Sequence, residues 1–165
     1  MKYRIAVPVL VVLGMMPWAE LPAQGQTAQT TFQVKATVQA VCEVTATDLN
    51  FGNYSAQTGT PLLGTTTLTA TCTPQTTYNI GLNKGTTPAG TINQRKMVSG
   101  ANTLDYQLYT DSTRANIWGE TIGTDTVTGS GTGVGVPHTV FGSVAGAQKV
   151  PAGAYADTIT VTITY

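Results

Sequence analysis

The chain has 165 residues carrying 8 basic and 8 acidic side chains, only 10% charged in all, with 18 glycines, 8 prolines and abundant threonine. That length holds one buried core and is too short for two. The sparse, balanced charge offers no stripe to neutralise phosphates, which argues against nucleic acid, and the composition suits many short strands joined by turns where a bundle would want Leu, Glu, Lys and Ala. The fold class expected is all-β.

Residues 1–23 begin with Lys2 and Arg4, run apolar from Ile5 to Met16 and end in Leu21, Pro22 and Ala23. The run is shorter than the ~20 residues that cross a bilayer, so it reads as a secretory signal peptide rather than an anchor, cleaved after Ala23. Its removal leaves a nearly neutral mature chain. Export sets an oxidising compartment, and Cys42 and Cys72, the only two cysteines, are then most simply one disulfide worth about 3 to 4 kcal/mol by loop entropy. A metal pair would need two further ligands, and His138 is the sole histidine.

Residues 24–40 form a leader. Its second part, Thr30 to Ala40, places Phe32, Val34, Ala36, Val38 and Ala40 on alternate positions, with Thr31, Gln33, Lys35, Thr37 and Gln39 between them, the period of a strand wetted on one face. The body follows as 41–165. Its first strand is expected over Val41–Thr47, then a bend at Gly52 within LNFGNY, a polar connection over Ser55–Gly64, and strands at Thr65–Thr73 and Thr77–Asn83. Further strands are expected at Arg95–Ser99, Leu104–Asp111, from Ile117 to Gly119, and at His138–Val144. The run from Gly123 to Gly135 reads as a hairpin, a loop or both. Val150–Tyr155 is a Pro-Gly turn, and Ala156–Tyr165 a last strand with Ile159, Val161, Ile163 and Tyr165 on one face. That strand's far edge is expected to lack a covering strand. Strands about ten residues apart, separated by turn signals, point to an immunoglobulin-like sandwich.

No constellation for catalysis stands out, and no cofactor or metal is expected. His138 has no nucleophile elbow beside it and reads as a surface or turn histidine; Asp105, Asp111, Glu120 and Asp125 read as solvated loop acids. The glycines at 129, 131, 133 and 135 lack the Lys-Ser/Thr ending of a phosphate loop. Asn53-Tyr54-Ser55 fits the glycan-acceptor pattern, which is common by chance. Tyr78, Tyr106, Tyr109 and Trp118 read as core and rim packing, with a sugar platform as the alternative.

In order along the chain, FQVKATV ahead of Cys42, LNFGNY, TLTATCT carrying Cys72, YNIGLN, LDYQLYTDSTRANIWG and VPAGAYADTITVTITY resemble the spore coat protein U domain family, which includes the secreted pilins of archaic chaperone-usher pili. The resemblance implies an incomplete immunoglobulin-like β-sandwich, missing its last strand and completed by a donor strand from another subunit after a periplasmic chaperone and an outer-membrane usher have handled it. It makes Phe32, Val34, Ala36 and Val38 the donor side chains and sets Ile159, Val161, Ile163 and Tyr165, with the first body strand, along the acceptor groove. Ala36 is small for a deep pocket. The implied function is a structural subunit of an extracellular fibre at the cell surface, supporting adhesion or biofilm formation. The alternatives are a spore or cell-surface coat protein of the same class, a sugar-binding adhesin, which normally carries a further binding domain, and a small secreted hydrolase.

Donation within one molecule would require a sharp reversal just before Cys42, and no Gly or Pro lies between Thr27 and Val41 to make one. Donation between molecules avoids this. Burying Phe32, Val34, Val38 and, to a lesser extent, Ala36 would contribute up to about 5 to 9 kcal/mol before ordering costs, comparable with the stability of a small domain.

Overall fold

A computed structural model describes residues 24–165; the expected signal peptide lies outside the described residues. The chain divides at Ala36/Thr37 into two units, taken in turn. In the first, residues 24–36 form no strand, and Phe32 and Val34 are exposed at 86% and 84%. Residues 30–36 of the alternating segment thus pair with no strand.

The second unit is all-β among the described residues. Its eight strands are β1 (Cys42–Ala46), β2 (Leu62–Cys72), β3 (Thr77–Leu82), β4 (Arg95–Ser99), β5 (Asn102–Tyr109), β6 (Val127–Ser130), β7 (Val136–Val144) and β8 (Val161–Thr164). They form two antiparallel sheets, one of five strands in the order β1-β2-β7-β5-β4 and one of three in the order β6-β3-β8. Period-2 alternation turns Leu68, Ala70 and Cys72 of β2, Val140 and Val144 of β7, and Leu104, Tyr106 and Leu108 of β5 into the core. Tyr78, Ile80 and Leu82 of β3 meet them from the other sheet. Cys42 and Cys72 are direct cross-strand partners and are joined by a disulfide, which clamps β1 to β2.

Three expected elements change. The second body strand begins at Leu62 rather than Thr65, because β7 is long enough to pair with it from Leu62↔Val144 to Ala70↔Val136. Ile117 to Gly119 is no strand: one bridge joins Ile117 to Tyr109, the Trp118 amide donating to the Leu108 carbonyl at 2.9 Å, while the Trp118 indole turns into the core and its Nε1 donates to the Ile80 carbonyl at 2.8 Å. The last strand is shorter than Ala156–Tyr165. Ala156 bridges to Val98 of β4, on the five-stranded sheet, and only from Val161 does the chain pair with β3 on the other. Residues 157–160 therefore cross between the sheets.

The glycine run contains β6, hydrogen-bonded to β3. Gly129 is required by packing, since a Cβ there would come within 2.4 Å of the Tyr78 ring. Tyr78, Tyr106 and Trp118 are buried in the core and form no sugar platform. His138 is neither a turn nor a free surface residue: it lies half-buried on β7, its Nε2 2.9 Å from the Tyr78 hydroxyl, and desolvation lowers its pKa from the ordinary value.

Candidate strand-acceptor groove

The two sheets are unequal, and this leaves the site. The inner face of the five-stranded sheet is covered along part of its length by β3 and Trp118, but the three-stranded sheet is too short to cover the rest. There the walls are irregular segments, with 46–54 on one side and 150–161 on the other, enclosing a groove of about 1100 Å³. Core side chains, among them Leu68, Leu104, Tyr106 and Val140, reach its floor.

Local sequence explains the walls. Gly64 of β2 and Gly142 of β7 are cross-strand partners, and the missing side chains leave a notch on the sheet's inner face. Leu49 and Phe51 fill it: a Cβ on Gly142 would lie 2.6 Å from the Leu49 Cδ2 and 2.7 Å from the Phe51 Cζ. The Phe51 ring also meets Tyr106 edge-on at 6.4 Å. Gly52, at φ 75°, takes the bend expected of it. The Tyr54 hydroxyl anchors the far end of this wall, donating to the Ala145 carbonyl at 3.0 Å and accepting from the Gln148 amide at 2.7 Å.

The opposite wall is pinned by Asp157. Its carboxylate accepts from the Tyr106 hydroxyl at 2.6 Å and from the Thr86 amide and hydroxyl at 2.9 and 3.0 Å. Burial first, then the hydrogen bond and charge of Asp157, raise the pKa of the Tyr106 hydroxyl, so it stays a donor. Behind it Arg95, fully buried, ties the sheets together: Nε donates to the Asn83 carbonyl, Nη2 to those of Leu82 and Trp118, and Nη1 to Gln107 Oε1 at 2.6 Å. Burial lowers its pKa.

Of the residues expected along the acceptor edge, Ile159 and Val161 line the groove. Ile163 is paired with Ile80 and packs against the core away from it, and Tyr165 is 58% exposed and does not line it. From the first body strand only its end, at Ala46, takes part. β8 is bonded to β3 along one edge, and among the described residues no strand is hydrogen-bonded to its other edge, although β1 lies nearby. The glycine notch and the Asp157 and Arg95 anchors were not anticipated from sequence. The one available signal was Gly142, at an inward-facing position of an expected strand; from sequence Gly64 falls in the preceding connection. Among the described residues no group of three or more His, Cys, Asp or Glu could hold a metal ion. The arrangement presents a slot with an apolar floor and mixed walls beside an unbonded strand edge, whose backbone groups and side-chain contacts together would accept an extended chain.

Known proteins resemble this chain in sequence and in fold. The model of the Spore Coat Protein U domain matches residues 28–162. "Protein U" of Myxococcus xanthus is 37% identical over 159 residues, covering 87% of this chain and 88% of that one. Among solved structures, a chain in the crystal structure of the CsuC-CsuE chaperone-tip adhesion subunit pre-assembly complex, from the archaic chaperone-usher Csu pili of Acinetobacter baumannii, superposes with a TM-score of 0.56 at 25% identity. The match covers 78% of the present chain but only 40% of that one. The chain therefore belongs to the spore coat protein U domain family.

Proposed function

We propose that the protein is a structural subunit of an extracellular fibre of the chaperone-usher type, in which residues 30–40 of one copy complete the sandwich of the next. The observation that carries this is the coexistence in one chain of an apolar groove beside the free edge of β8 and an unpaired alternating segment whose Phe32, Val34 and Val38 are 82 to 86% exposed. Phe32, Val34, Ala36 and Val38 enter the groove as the donor set, and Ile159 and Val161 receive them. A contact of this kind is heterologous and does not close, so it grows an open chain. Until it is filled, the groove needs a temporary occupant; a periplasmic chaperone supplies one and an outer-membrane usher exchanges it, in keeping with the chaperone complex among the structural neighbours. Signal cleavage after residue 23, passage through the periplasm and a role in adhesion or biofilm formation belong to the same reading.

The match to the spore coat family and to "Protein U" favours a second reading, a surface coat built by the same strand exchange. Imaging of cells with and without the protein separates fibre from coat. Both readings fall to one test. Val34→Asp sets a charge in a dry slot and should abolish assembly while leaving the subunit folded, as followed by size-exclusion chromatography and electron microscopy. Polymer of normal yield and length from that variant would refute donation.

A further inference from the structure

The groove selects apolar side chains, but alternation alone does not fix register, since a slip of two residues keeps the same face inward. A charge can fix it. Lys35 is the only charged residue between residues 24 and 41. It alternates with the donor side chains, so it leaves the segment on the outward face when Val34 and Ala36 point in, and its long flexible stem can carry the ammonium back to the groove's edge. The charged residues lining the groove are both acidic, Asp48 and Asp157. Asp157 is already engaged by three donors from Tyr106 and Thr86. Asp48 is exposed, follows the end of β1 on the wall opposite β8, and accepts no hydrogen bond among the described residues.

We infer that Lys35 of an incoming copy pairs with Asp48 of the receiving copy and thereby sets the register in which the donor segment seats. This rests on the strand-donation reading and adds the specificity determinant to it. A slip of two residues in either direction would leave Thr37 or Gln33 opposite Asp48 and carry Lys35 away from it. The pair is solvated, so its effect is modest and sensitive to salt.

The test is a charge-reversal cycle on the full chain, reading the rate of self-assembly at low ionic strength. Lys35→Glu and Asp48→Lys should each slow assembly about three- to tenfold through lost attraction and new repulsion. The double variant should recover most of the wild-type rate, and 0.5 M salt should erase most of the differences. Thermal unfolding of Asp48→Lys checks that the subunit still folds. Single variants that assemble at the wild-type rate would overturn the pairing. So would a double variant no faster than the singles, or rescue of Lys35→Glu by Glu120→Lys, which lies on the outer side of the three-stranded sheet near Thr162. Wild-type chain and Val34→Asp run alongside. If Val34→Asp assembles like wild type, strand donation itself fails and the pairing with it; if it does not assemble while the charge variants are indifferent, only the pairing fails.

Discussion

The sandwich has two ends built from the same inner face and finished differently. At one end β3, Trp118 and the Arg95 guanidinium close the core with strand pairing and buried hydrogen bonds. At the other, Leu49, Phe51 and the 150–161 segment make walls without a covering strand, and core side chains reach a groove. The closed end fixes the fold, and the open end is the acceptor in the function proposed above. Substitutions at the first should therefore appear as lost stability, and at the second chiefly as lost assembly.

The largest effect is expected at the closed end. Trp118→Ala should cost about 3 to 5 kcal/mol in denaturant unfolding through cavity formation, and it also frees the buried Ile80 carbonyl. Arg95→Leu strips donors from the carbonyls of Asn83, Leu82 and Trp118 and should cost about 3 kcal/mol or more. Full-length fibres at unchanged subunit stability would contradict the division of labour. At the open end, Gly142→Ala drives a methyl against Leu49 and Phe51. It should cost about 1 to 3 kcal/mol in stability while reducing assembly more than that loss explains, because the displaced side chains narrow the slot. An assembly rate that merely tracks stability would count against the groove.

The smallest effect concerns pH. His138 is half-buried against Tyr78, and its folded pKa lies below its unfolded value of about 6.5. The unfolded chain then binds the proton more readily, so this contribution to stability is complete above pH 6.5 and is lost as pH falls through the lowered folded pKa. His138→Gln should flatten that part of the stability profile without affecting assembly at neutral pH. An unchanged slope would show that the desolvation is relieved by other means.

Alternation made much of this legible in the sequence. It marked the strands carrying Leu68, Ile80 and Leu104, and the half-buried face of Ile159, Val161 and Ile163, because period 2 is a local property. The two cysteines marked their own pairing. What was hidden depends on distant partners. Arg95 looks like an ordinary strand charge until Asn83, Leu82 and Trp118 bring carbonyls to it. Gly64 and Gly142 acquire meaning only when strand pairing sets them side by side beneath Leu49 and Phe51. The last strand was read as too long because Ala156–Tyr165 alternates throughout, whereas Val98 captures its first residue on the opposite sheet.

The free edge of β8 gives the most direct measurement. Hydrogen exchange on assembled wild-type protein, compared with the unassembled Val34→Asp subunit, should show strong new protection in residues 30–40 and along Val161–Thr164, with little change in β4. If both segments exchange as fast in the assembled state as in the free subunit, the copies associate by some other surface and the groove is not the acceptor.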